Sequence, residues 1–187
     1  INNTNCKDSI KKKVNVLDKV DSSFTTTDSV FCINDNIASF TPTQTGGVFS
    51  GTNVIGQTFR PISVGKFIVK HLIANQACVD SAFKTMQVFD KPTANFTFSP
   101  SNSTIEDSVQ FTFTGTNATG WLWSFGDANN STSILKDPKF LFPDAQVYRT
   151  RLLVTNDAGC TDTVSKSVPV LLKESLFIPN VFTPQND

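Results

Sequence analysis

The amino-acid sequence predicts an all-β chain organised as a tandem of small β-sandwiches, and three observations carry that prediction. The chain repeats itself: Cys6-Lys7-Asp8-Ser9 returns as Cys78-Val79-Asp80-Ser81, 72 residues on, and again as Cys160-Thr161-Asp162-Thr163, a further 82 residues on. A period of this size is too long for a solenoid repeat and suits a small self-contained domain. Composition points the same way, with 17 Phe and abundant Thr, Ser, Asn and Val, residues that fit a pleated surface better than a helix. Apolar residues also alternate with period two in 109–113, 147–152 and 10–16, and Gly46-Gly47, Pro61, Pro92, Pro100, Gly126-Asp127 and Asp157-Ala158-Gly159 punctuate the runs between. Many short strands with frequent turns, and no apolar stripe of helical period, make a sandwich.

Taken in order along the repeat, residues 1–17 are the closing hairpin of a preceding domain, 18–90 a complete domain and 91–172 another, with 173–187 a linker and the start of something further. The connections Leu17-Asp18-Lys19 and Phe89-Asp90-Lys91-Pro92 are short, which suits a semi-rigid rod. Sixteen basic and sixteen acidic residues cancel, and the lysine run Lys11-Lys12-Lys13 reads as a solvated or edge-protecting feature. Nucleic acid is therefore excluded as a partner, since its binding needs clustered positive charge. No run of about 18 apolar residues occurs, and a signal peptide is expected upstream of Ile1.

Cys32 sits in an apolar strand, Ser29-Val30-Phe31-Cys32-Ile33, and Cys78 ends a later strand of the same domain. A Cys32–Cys78 bridge is expected; it would restrict the unfolded chain by about 4 kcal/mol and imply an oxidising, extracellular setting. Cys6 would pair upstream, and Cys160 reads as a small buried hydrophobe kept by repeat ancestry, the pairing of both being open. The absence of C-x-x-C argues against zinc or thioredoxin chemistry.

Trp123-Ser124-Phe125-Gly126-Asp127, then Pro138, Phe140 and Phe142, then Tyr148 to Asn156, resemble the PKD (polycystic-kidney-disease) domain, an Ig-like sandwich. Ala128 and Gln146 stand where that pattern has Gly. The resemblance implies structural roles for Trp123, Phe125, Gly126, Asp127 and Tyr148: Trp123 and Phe125 share a buried face, and Gly126-Asp127 makes a tight turn. Residues 18–90 resemble a related Ig-like repeat of Bacteroidota surface proteins, through Phe31-Cys32, Gly46 to Gly51, Phe59-Arg60-Pro61, Gly65-Lys66-Phe67 and Asn75 to Asp80, with Phe67 in the place of Tyr148.

At the C-terminus, Ile178, Pro179, Asn180, Phe182, Thr183 and Pro184 resemble the opening of the gliding-motility-type C-terminal domain read by the type IX secretion system. That resemblance implies export across the outer membrane and outer-membrane secretion and anchoring proteins as partners. Asp-Ser/Thr-aliphatic triplets resemble the O-glycosylation motif of the same bacteria, which implies sugars on Ser9, Ser29, Ser81, Ser108 and Thr163; an Asp-Ser pair entering a strand is also ordinary turn chemistry. Some PKD-type domains hold calcium, with Asp127 and Asp107 or Asp144 as donors here, but without EF-hand spacing these read as loop carboxylates and no cofactor or metal is assigned. Trp121 is a candidate sugar-stacking residue, with edge packing the alternative.

Catalysis finds no support: His71 is the single histidine and has no nucleophile or carboxylate partner in its strand, and no G-x-S-x-G or P-loop occurs. The reading is the non-catalytic stalk of a secreted, tandem-repeat cell-surface adhesin in contact with surface polysaccharide. The alternatives are the accessory region of a secreted polysaccharide- or protein-degrading enzyme, and a carbohydrate-binding module resting on Trp121.

Overall fold

The computed structural model describes residues 9–14, 16, 18–76 and 78–173, and these form strands and turns with no helix among them. The chain divides between Val88 and Phe89 into two compact units. The first holds β1 (Phe24–Thr26), β2 (Val30–Cys32), β3 (Ala38–Pro42), β4 (Val48–Ser50), β5 (Val54–Ile55), β6 (Thr58–Phe59), β7 (Gly65–Ala74) and β8 (Val79–Phe89). They make two sheets, β1-β3-β6-β5 and β2-β8-β7-β4. The hairpin β7–β8 is the spine, paired without a break from Gly65 opposite Val88 to Ala74 opposite Val79. Along β7 the buried Val69, His71 and Ile73 alternate with the outward Ile68, Leu72 and Ala74. The inner faces of the sheets close on Phe24, Phe31, Phe40, Phe59, Val69, Met86 and Val88.

The second unit holds β9 (Phe96–Ser99), β10 (Ser103–Thr104), β11 (Ser108–Phe113), β12 (Gly120–Ser124), β13 (Thr132–Ser133), β14 (Lys139–Leu141), β15 (Val147–Thr155) and β16 (Thr161–Leu171). Its sheets are β10-β16-β15-β12-β13 and β14-β11-β9. Trp123 is fully buried between them, its ring 5.0 Å from Phe96 and 5.4 Å from Phe111. Phe125 stacks on Phe140 at 4.0 Å and Phe142 on Tyr148 at 4.2 Å. Such pairs contribute about 0.5–1.5 kcal/mol each beyond their buried area, and they bind a core cluster in which Leu152 is the single buried Leu among the described residues.

Three expectations are corrected. The alternating stretch at 10–16 forms no strand among its described residues; Ile10, Val14 and Val16 are exposed. Alternation permits a strand, but only a neighbouring strand to bond with makes one. The Cys32–Cys78 bridge is also absent: Cys78 is a free, half-buried thiol, whereas Cys32 and Cys160 are disulfide-bonded. The geometry explains it. The Gln87 N–H donates to the Ser29 carbonyl at 2.9 Å, so β2 lies beside the far end of β8 from Cys78. Nine residues of extended chain separate Cys78 from Gln87, about 30 Å, and a disulfide spans at most about 7 Å between Cα atoms. Cys160, expected as a plain hydrophobe, is buried and bonded. Cys6 and the segment from Glu174 on, with Ile178, Pro179, Asn180, Phe182, Thr183 and Pro184, lie outside the described residues.

Candidate functional site

The residues singled out in the second unit do assemble. Trp123 donates its Nε1–H to the Leu135 carbonyl at 2.8 Å, so its one polar atom is satisfied inside the core. Phe125 follows it on the same face, and Gly126 takes φ +78°, where an added Cβ would lie 2.7 Å from the Arg149 carbonyl oxygen. That close backbone approach reserves the position for glycine. Asp127 is only 5% exposed. Its Oδ1 accepts from the Ser131 amide at 2.8 Å and its Oδ2 from the Ser131 hydroxyl at 2.7 Å. Burial, the largest single influence, pushes this carboxyl up, but the Ser131 hydroxyl and amide together with the backbone amides of Asp127 and Asn129 outweigh it and hold the group below its ordinary value. The turn closes with Asn130, whose N–H donates to the Asp127 carbonyl and whose φ is +53°; Ala128 sits within the turn without strain. Tyr148 makes a tyrosine corner: its hydroxyl donates to the Asp144 carbonyl at 3.0 Å and accepts from the Asp144 amide at 3.1 Å.

A second set of contacts recurs in both units, and the sequence reading missed it. The Asn75 side-chain amide donates to the Asp18 carbonyl at 3.1 Å, and its Oδ1 accepts from the Cys78 amide at 2.8 Å. In the second unit Asn156 does the same, to the Asp90 carbonyl at 2.9 Å and from the Cys160 amide at 3.0 Å. Beside each Asn an Asp completes the clasp. Asp80 accepts from the Ser22 amide and hydroxyl at 3.0 and 2.9 Å, and Asp162 accepts from the Ala94 amide at 2.8 Å. The hairpin turn in each sandwich thereby grips the chain that enters it. The signal was present in the repeated Asn and Asp positions, which read only as parts of the two domain resemblances and of the Asp-Ser/Thr triplets.

His71 is a packed core residue. It is fully buried and stacks on Phe49 at 4.2 Å. Its Nδ1 lies 2.7 Å from the Ser22 carbonyl and its Nε2 3.1 Å from the Gly46 carbonyl. Neither nitrogen faces a nucleophile. Gly47, at φ +81°, fits only because it lacks a Cβ, which would lie 2.6 Å from His71 Nε2. Trp121 is half-buried and packs edge-on against Phe113 at 5.8 Å, with its Nε1 buried, so it is no exposed stacking platform.

The calcium donors do not converge into a site: Asp107 accepts from the Thr104 amide and hydroxyl, Asp127 is taken by Ser131, and among the described residues no three His, Cys, Asp or Glu side chains gather. The hydroxyl-bearing residues Ser9, Ser29, Ser81, Ser108 and Thr163 are all exposed. No helix of the described residues is long and apolar enough to cross a membrane.

Among solved structures, the chain is similar to the PKD1 domain of Vibrio anguillarum Epp (25% identity over 44% of this chain and 96% of that one, TM-score 0.40). It is similar to the PKD1 domain of the Vibrio cholerae metalloprotease PrtV (29% identity, 43% and 98%, TM-score 0.39). It is also similar to the ectodomain of mouse nectin-like molecule 4 (13% identity, 83% and 66%, TM-score 0.39). A comparison with curated protein sequences gives no match. The PKD domain family model matches residues 89–170, so this chain carries a PKD domain within a tandem of Ig-like β-sandwiches.

Proposed function

We propose that the chain is the non-catalytic C-terminal stalk of a large secreted repeat adhesin, held on the outer surface of a Gram-negative cell and exported by the type IX secretion system. The observation that carries this reading is the repeated clasp. Asn75 and Asn156 grip the Asp18 and Asp90 carbonyls in the same way, so each sandwich fixes its own entering chain. A module that secures its own entry is suited to serial use as a spacer, where many weak contacts along a stalk add up. The disulfide-bonded Cys32 and Cys160 suit an oxidising, extracellular compartment. The segment Ile178 to Pro184 supports the type IX route and, with it, outer-membrane secretion and anchoring proteins as partners. The exposed hydroxyls of Ser9, Ser29, Ser81, Ser108 and Thr163 are accessible to O-glycosylation.

The test is gentle purification of the parent protein, with its complete C-terminus, from native outer membranes, with partners identified by mass spectrometry. Co-purification with an outer-membrane barrel that is lost on deletion from Phe177 onward is the expected result. A free, partnerless protein in the medium would overturn the anchored adhesin in favour of an accessory region of a secreted degradative enzyme.

A further inference from the structure

The outward face of β15 and its neighbours in the second unit carries two arginines that the fold does not use. Arg149 and Arg151 are exposed and alternate with the buried Tyr148, Thr150 and Leu152. They therefore project from one face, about 7 Å apart along the strand. With Ser124, Thr163 and Ser165 they line an open groove of about 450 Å³. The register explains the grouping: Ser124 pairs with Arg151, and Arg151 pairs with Ser165 on the other side. Neither guanidinium makes an ion pair or a side-chain hydrogen bond with any described residue. An arginine fork is usually found where a planar, two-oxygen anion can meet it; here two stand side by side unpaired.

The first unit sharpens the point. Strand β7 carries Ile68 and Lys70 where β15 carries Arg149 and Arg151, counting back from the matched Asn75 and Asn156, and β8 carries Phe83 where β16 carries Ser165. The core does not require arginine or serine on this face, since the repeat folds with Ile and Phe there.

We propose that this groove binds a carboxylate-bearing polysaccharide, a polyuronate, with Arg149 and Arg151 as the anion forks and Ser124, Thr163 and Ser165 bonding to sugar hydroxyls. Three features choose this occupant. Every side chain lining the groove is polar, so it lacks the apolar or aromatic anchor that a protein partner needs. It has no aromatic face on which a neutral sugar stacks. And β15 lies inside its sheet, bonded to β12 and β16, so no backbone edge is free for an extended peptide to join. The proposal stands whether the chain belongs to an adhesin or to an enzyme's accessory region. Thr163 is also a candidate glycosylation site, and a sugar there would cover the groove, so the unglycosylated chain is the form to test.

The experiment is affinity electrophoresis of the whole 187-residue chain, produced without glycosylation, in gels containing polygalacturonate, dextran or poly-glutamate. Retardation by polygalacturonate alone is expected, falling by about tenfold in the Arg149→Gln/Arg151→Gln double variant, the loss of two solvent-exposed ion contacts. The Lys136→Gln/Lys139→Gln variant removes the same charge elsewhere on the unit and should bind unchanged. All substituted residues are exposed, and unaltered thermal unfolding verifies that the variants fold. Equal loss in the lysine variant, no loss in the arginine variant, or no retardation of the native chain overturns the proposal. Equal retardation by dextran overturns the role of charge, and equal retardation by poly-glutamate overturns the choice of a saccharide for an acidic peptide.

Discussion

The two sandwiches place different chemistry at the same point of the same fold. In the second unit Trp123 stands opposite Leu152 in the β12–β15 pairing; in the first, Phe49 stands opposite His71 in β4–β7. Trp123 and Leu152 are both fully buried in a cluster of apolar side chains. His71 is equally buried, but it stacks on Phe49 and reaches the carbonyls of Ser22 and Gly46. One core is closed by volume, the other by a ring that also donates its N–H to a loop carbonyl. The position tolerates either solution only because its surroundings change with it: Gly47 gives way to the imidazole, and a side chain there would not fit. A core site in a repeat is thus conserved as a space to be filled, while the chemistry of filling it diverges.

The comparison is most easily broken in the second unit. Trp123→Ala removes the largest buried side chain and its ring contacts with Phe96 and Phe111, and should destabilise that unit by about 3–5 kcal/mol. Both tryptophans and the single tyrosine lie in the second unit, so intrinsic fluorescence reports on it while circular dichroism sees both. Denaturant titration should therefore move the fluorescence transition of the variant, followed through Trp121, and leave the remaining far-ultraviolet transition in place. Loss of both transitions together would show that the sandwiches do not stand independently.

Exchanging the two solutions should cost less but in both directions. His71→Leu leaves the buried Ser22 carbonyl without its partner and should destabilise the first unit by about 1–3 kcal/mol. Leu152→His places an imidazole in a site built from apolar neighbours and should destabilise the second by a similar amount. The sign matters: a gain in stability for His71→Leu would mean that the carbonyl contacts are incidental to packing. Smaller still is Tyr148→Phe, which gives the second unit the residue type that Phe67 already supplies in the first. It removes two hydrogen bonds to Asp144 and keeps the ring on Phe142, so a loss of about 1 kcal/mol is expected in the fluorescence-detected transition.

Much of this was legible in the sequence, and what was missed has physical reasons. Trp123, Phe125, Gly126 and Tyr148 were readable because each does a job only its residue type can do: fill a core, allow a close backbone approach, or close a corner. The burial of His71 was also written in the alternation, since it shares parity with Val69 and Ile73, but a polar residue in one chain gives no sign that two carbonyls await it. The cysteine pairing was not legible, because strand order does not say which end of a strand lies beside which. Cys32 and Cys78 fall in one domain and yet sit near opposite ends of β8. The unpaired Arg149 and Arg151 were read only as part of an alternating strand, because an arginine without a partner looks the same in sequence as one with it.

The finest difference between the sandwiches lies in the clasps, and acid should expose it. Asp80 accepts two bonds, from the Ser22 amide and hydroxyl, where Asp162 accepts one from the Ala94 amide. Those two bonds hold the Asp80 carboxyl below its ordinary value, the Ser22 amide contributing most. A carboxyl lowered by folding stabilises the native state above its unfolded pKa of about 3.9, and that contribution fades as pH falls through the lower folded value. The Asp80 carbon resonance should therefore titrate with a midpoint below 3.9, and the Ser22 amide shift should follow the same curve. Asp80→Asn should remove that inflection while leaving the fluorescence-detected unfolding of the second unit unchanged at every pH. A Ser22 amide that still titrates in Asp80→Asn would assign the acid sensitivity to another group and leave the two clasps equivalent.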